Sequence, residues 1–230
     1  MFIIGHSAGA YLVALLATDE RYLAAEHLSL RDIRGAVPVS GLILPFKDIH
    51  PRIAASAFIA PTAVVIGDTE IAEDTSVWFG AIVRGDVNVI RIGARTNIQD
   101  GTIVHAATDT FGTYIGREVT IGHAAVIHAC TIEDRAFVGI KAVVMDGAVV
   151  EAGAMVAAGA LVGPGKRVPS GELWAGSPAR FRRKLGPEDE RQFGWIASHY
   201  VKLAQAYQDT GIRSQESGGI STPETSREQP

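Results

Sequence analysis

The 230-residue chain has one cysteine, Cys130, and no large excess of either charge. A single thiol excludes an internal disulfide framework and fits a reducing cytoplasm. The net charge is −4, so the chain has no basic footprint and nucleic acid is not an expected partner. No apolar run reaches the roughly 18 residues of a membrane helix, and no membrane is expected. The apolar stretch Tyr11–Ala17 is not preceded by the Lys or Arg of a secretory signal, so the expected location is cytoplasmic. Apolar residues at 47% and charged residues at 20% describe an ordinary globular protein.

What the chain does have is a repeat. From Ile59 an aliphatic residue returns every six positions: Ile59, Val65, Ile71, Val77 and Val83. Three extra residues intervene before Ile92, Ile98 and Val104, and five more before Ile115, Ile121 and Ile127. One step is a residue short. Then Ile132, Val138, Val144, Val150, Val156 and Val162 keep strict register. All seventeen anchors are Ile or Val. Helices give a period of 3.6 and alternating strands a period of two, whereas six marks a β-solenoid. Each hexad makes one short strand and a corner, and three hexads close a triangular coil. The β-branched anchors point inward and stack one coil apart, about 4.8 Å along the axis. About six coils are expected. Beyond them, Phe193, Ile196, Tyr200, Leu203 and Tyr207 give an amphipathic helix, with Pro187 suited to its first turn. Residues 209–230, rich in Ser, Glu, Gly, Thr and Pro, are expected to be disordered.

The register sorts the histidines. The hexads starting at Val83, Val104 and Ile127 are three apart and share one face. Arg84, His105 and His128 hold the same position in each, so they form a column with one residue per coil. Imidazoles on adjacent coils are close enough to share one metal ion. His123 belongs to the adjoining face, above Asp100. It cannot easily join the other two within its own chain, but a second subunit could supply it.

The segment from about Leu44 to Tyr207 resembles the γ-class carbonic anhydrases, trimeric members of the hexapeptide-repeat superfamily. The residues that carry the likeness are Arg84-Gly85-Asp86, Asn97-Ile98-Gln99-Asp100, Ile121-Gly122-His123 through His128-Ala129-Cys130, and Trp174-Ala175-Gly176-Ser177-Pro178-Ala179. The resemblance implies a left-handed parallel β-helix, so the expected fold class is mainly β, with a C-terminal α-helix and a short α/β-like N-terminal extension. It also implies a homotrimer in which His105 and His128 of one subunit and His123 of the next hold Zn2+, with Fe2+ or Co2+ as alternatives. The implied activity is reversible hydration of CO2 to bicarbonate by a metal-bound hydroxide at the subunit interface.

By the same resemblance Gln99 orients the metal-bound solvent, while Arg84 and Asp86 support the subunit contact. For Arg84 and Asp86 a plain salt bridge across the subunit interface is at least as strong a reading. Gln99, Arg84, Asp86 and Asp100 are the catalytic candidates. The chain departs from the archetype in places. Val87 stands where the family has a glutamate, the Ala106–Tyr114 loop has Asp109 but no glutamate, and Ala129 and Lys141 replace glycines. Two other functions remain open: a non-catalytic metal-binding structural trimer, and a hexapeptide-repeat acyltransferase, which shares the Gly176-Ser177-Pro178-Ala179 pattern.

The N-terminus reads differently. Gly5-His6-Ser7-Ala8-Gly9 fits G-x-S-x-G, and residues 1–41 resemble the nucleophile elbow, helix and next strand of an α/β-hydrolase. No acid and histidine can follow on later strands, because by residue 59 the chain is already a solenoid. A serine without its base is a weak nucleophile, so this fragment is expected to be non-functional. The expected organisation is therefore 1–41 as the hydrolase-like fragment, 42–208 as β-helix plus helix, and 209–230 as tail.

Overall fold

The computed structural model describes residues 2–5, 35–38 and 42–210. The expectations for Ser7, for the helix-like run after it and for most of the tail fall outside the described residues. Of the N-terminal extension, strands β1 (Phe2–Gly5) and β2 (Gly35–Pro38) are described, and they pair in parallel.

From Leu42 the chain winds as a parallel β-solenoid with three faces. The first face stacks Leu42–Leu44, the starts of Val64–Ile71 and Ile82–Ile92, then Ile103–His105, Val126–His128, Val143–Val144 and Leu161–Val162. The second runs from Arg52–Ile53 through the ends of those two long strands to Arg167–Val168. The third runs from Phe58–Ile59 to Glu172–Ala175, where Arg180–Lys184 turns back antiparallel. Each face therefore carries seven parallel strands, one coil more than the expected six. Ile43 and Ile53 supply a first coil upstream of Ile59, and Val168 and Trp174 continue the six-residue step at the far end.

All seventeen anchors face the bore and none is more than 3% exposed. Burial of a Val or Ile side chain contributes about 1.5–3 kcal/mol, so the stacked column is the main stabilising element. Two residues before each anchor lies a second buried position, held by small residues such as Ala63, Ala81, Ala125, Ala142 and Ala160. At three of the Thr that hold this position, the hydroxyl donates to a corner carbonyl of the next coil. Thr75 reaches Gly93 at 2.8 Å, Thr96 reaches Gly116 at 2.7 Å and Thr102 reaches Gly122 at 3.0 Å. Buried polar atoms are thus satisfied without widening the prism.

The two insertions in the repeat are handled differently. The first is absorbed into the 11-residue strand Ile82–Ile92, which bends from the first face to the second. The second forms a loop between His105 and Thr113. Ala107 N–H donates to the Phe111 carbonyl at 3.0 Å, and Asn88 Nδ2 donates to the Ala107 carbonyl at 3.1 Å.

The helix Pro187–Asp209 covers the third face. Phe193 stacks on Phe137 at 5.0 Å, while Tyr200 and Tyr207 meet Trp78 edge-on at 5.3 and 5.4 Å. Among the described residues no helix is long and apolar enough to cross a membrane.

Corners need positive φ. Gly147, Gly153 and Gly165 supply it at 66°, 65° and 63°, but Ala129 and Lys141 adopt it at 50° and 57°. A side chain in this region costs about 1–2 kcal/mol, part of which glycine gives back in unfolded-chain entropy. Lys141 is exposed, so removing its side chain leaves no void. Lys141→Gly should stabilise the fold by about 0.5–1 kcal/mol. A thermal unfolding midpoint no higher than wild type would show that this corner is unstrained.

Candidate metal centre

The first face brings the column together. The strands Ile82–Ile92, Ile103–His105 and Val126–His128 pair so that Arg84, His105 and His128 are register partners. Their inward neighbours Val83, Val104 and Ile127 are fully buried, which fixes the strands and turns the three polar side chains outward. The two imidazoles have centroids 5.3 Å apart, with ring planes inclined by 49°. Both rings are partly accessible, at 18% and 30% exposure.

Each candidate histidine meets a carboxylate. His105 Nε2 lies 3.0 Å from Asp86 Oδ1. His123 Nδ1 lies 2.9 Å from Asp100 Oδ2, one coil away. His128 Nδ1 lies 2.7 Å from Asp146 Oδ1. Asp86 also pairs with Arg84. Burial pushes the Asp86 carboxyl up, but the hydrogen bonds from His105 and Arg84, with the Arg84 charge, outweigh it and hold the group below the usual carboxylate range.

Gln99 is buried at the corner below His123. Its Nε2 donates to Asn97 Oδ1 at 3.0 Å, and its Oε1 accepts the backbone N–H of His123 at 3.2 Å. Asn97 in turn donates to Thr120 Oγ1 at 3.0 Å. Gln99 thus ties the backbone at His123 to the wall of the prism.

His123 itself follows the third-face strand Thr120–Ile121, around a corner from the column. Among the described residues of one chain, no three His, Cys, Asp or Glu side chains converge on a metal position. Within one chain the donor set is two imidazoles on one face and a third on another. Two imidazoles alone fall short of the three protein ligands of a catalytic zinc, so the set fits the ion only if a neighbour contributes.

The same face is apolar beside the column. At the position before each anchor, Leu42, Val64, Ile82, Ile103, Val126, Val143 and Leu161 are partners in successive registers. None of the seven is buried, and Ile82 and Ile103 are 37% and 43% exposed. This aliphatic ladder leaves an unbroken apolar strip on an outer face of the single chain. The third face has its helix; this one has no cover among the described residues.

One residue and one contact of the site escape a reading of the sequence. Asp146 follows Met145, which comes directly after the anchor Val144, so the column count carried one coil past His128 reaches its neighbour. The tie from Gln99 to the His123 backbone has no sequence signal, because it depends on a corner bringing residues 24 positions apart into contact.

No protein-family model matches the chain. Gamma carbonic anhydrase 2, mitochondrial, of Arabidopsis thaliana is 49% identical over 172 residues, which are 73% of this chain and 62% of that protein. The chain thus spans about 60% of the length of such plant relatives. A carbonic anhydrase of Geobacillus kaustophilus is 40% identical over 166 residues, covering 72% of this chain and 91% of its own. Among solved structures, that of a hexapeptide transferase family protein from Anaplasma phagocytophilum is 45% identical with a TM-score of 0.70, covering 72% of this chain and 98% of that one.

Proposed function

The chain belongs to the γ-class carbonic anhydrase-like hexapeptide-repeat proteins, and on that footing we propose that it hydrates CO2 reversibly at a metal site shared between subunits of a homotrimer. The observation that carries this reading is the pairing of His105 with His128 in one column beside an uncovered apolar ladder. The ladder supports a subunit contact on that face, and the contact supports delivery of a neighbour's His123 to the pair.

His105 and His128 of one subunit and His123 of the next would hold the ion, with Zn2+ favoured and Fe2+ or Co2+ also suited to three imidazoles. When bound, such an ion lowers the pKa of water toward about 7 and so supplies a nucleophile for CO2 at neutral pH.

The chain's own residues do the rest. Asp86 and Asp100 accept ring N–H groups from His105 and His123 and hold those rings in orientation. Arg84 pairs with Asp86 and, together with the His105 hydrogen bond, holds its carboxyl below the usual carboxylate range. Gln99 fixes the His123 backbone through Oε1, and its second Nε2 hydrogen is left to orient solvent at the site. No glutamate stands in the Ala106–Tyr114 loop, so an external base must carry the proton away and turnover is slow without buffer.

Metal content tests this at its root. Protein purified without added metal should contain one divalent ion per subunit and sediment as a trimer, and a chelator should strip the ion without unfolding the coils. A metal-free trimer that takes up no zinc on titration would end the proposal.

A further inference from the structure

We propose that Asp146 is a positioning residue for the metal site, orienting His128 so that Nε2 is the nitrogen offered to the ion. This rests on the shared-site reading above. The juxtaposition is a single hydrogen bond, His128 Nδ1 to Asp146 Oδ1 at 2.7 Å. The backbone on both sides of it is pinned. Gly147 N–H donates to the Ala129 carbonyl at 2.7 Å, tying the residue after Asp146 to the residue after His128. Gly165 N–H donates to the Asp146 carbonyl at 2.8 Å from the next coil. The carboxylate is thus held against the imidazole from two directions.

Asp146 also differs from Asp86. Asp86 divides itself between His105 and Arg84. No Lys or Arg among the described residues pairs with Asp146, so no cation competes with His128 for the carboxylate, although its charge also helps push the buried Cys130 thiol up. An anion accepting Nδ1–H fixes one tautomer, leaves Nε2 with its lone pair free, and makes that nitrogen a better donor to a cation. The contrast with His105 assigns His128, like His123 on Asp100, as a ligand whose donor atom is set before any metal arrives.

The test uses the full chain with two substitutions, Asp146→Ala and Asp146→Asn. Zinc affinity is measured by competition with a chromophoric chelator. Loss of such an outer partner typically lowers metal affinity about 10–100-fold, and Asp146→Ala should fall in that range. Asp146→Asn should lose less, because the amide oxygen still accepts Nδ1–H without the charge.

A second readout needs no metal. Nitrogen NMR of the metal-free protein at pH 8 should show His128 protonated on Nδ1 in wild type and in Asp146→Asn. In Asp146→Ala it should shift toward Nε2–H. A role confined to stabilising the corner would leave this tautomer unchanged, and that outcome overturns the proposal. So does zinc affinity within twofold of wild type in Asp146→Ala. If that variant fails to fold, Asp146→Asn decides, with unchanged zinc affinity counting against the proposal. If wild type itself binds no zinc, the shared-site function fails, while the tautomer still reports whether Asp146 orients His128.

Discussion

Homotrimers of His105→Ala or of His123→Ala should each lose tight metal binding, and the two variants refolded together should recover about a quarter of wild-type occupancy. His105 and His128 are register partners on one face, whereas His123 leaves a strand of the next face around a corner. If the pair and the single histidine meet only between subunits, either substitution leaves every site with two ligands. Mixing changes the count. A cyclic trimer has head-to-tail contacts, so each mixed trimer contains one contact where a His123→Ala subunit offers its intact pair to a neighbour with an intact His123. Random equal mixing makes about three-quarters of the trimers mixed, with one of three sites complete in each. Recovery of metal only in the mixture identifies the donors as trans. Occupancy that stays at the single-variant level would place all three histidines in one chain or leave no shared site.

Ile103→Asp should separate the subunits and empty the metal site without disturbing the coils. Ile103 sits midway along the aliphatic ladder and is 43% exposed, so its side chain is not part of the bore. The inward neighbour Val104 is untouched and fully buried. Burying an unpaired carboxylate at a contact costs several kcal/mol, and threefold symmetry repeats the insult at every interface. Light scattering should give a monomer with wild-type far-ultraviolet circular dichroism and no bound metal. Retention of the trimer would show that the ladder faces something other than a second copy of the chain.

The interior is written plainly in the sequence because one requirement, a β-branched residue every sixth position, acts at every hexad with little interference. The seventeen anchors therefore lie in the bore, and the column of Arg84, His105 and His128 follows from arithmetic on them. The ends are harder to read, because capping coils relax the rule. Ile43 and Ile53 are ten residues apart with a turn at Phe46–Ile49 between them, and the last coil closes on Trp174 in place of an aliphatic residue. That is why seven coils exceed the expected six.

Side-chain partnerships are less legible still. The Asp86 and Asp100 contacts lie on residues of recognisable motifs, whereas Asp146 stands in an ordinary corner, and only three-dimensional stacking sets it against His128. The bonds from Gln99 to Asn97 and to the His123 backbone depend in the same way on corner geometry, which no spacing rule encodes.

The central claim is metal-dependent chemistry at the shared site, and stopped-flow CO2 hydration tests it most directly. The metal-loaded trimer should accelerate hydration above buffer. A chelator should abolish the rate, and zinc, cobalt or anaerobic ferrous iron should restore it. Val87 and the glutamate-free loop around Asp109 leave no strong internal proton carrier, so the rate should rise with buffer concentration. A fully metallated trimer with no rate above buffer at any buffer concentration would contradict the account and leave a metal-bound structural subunit in its place.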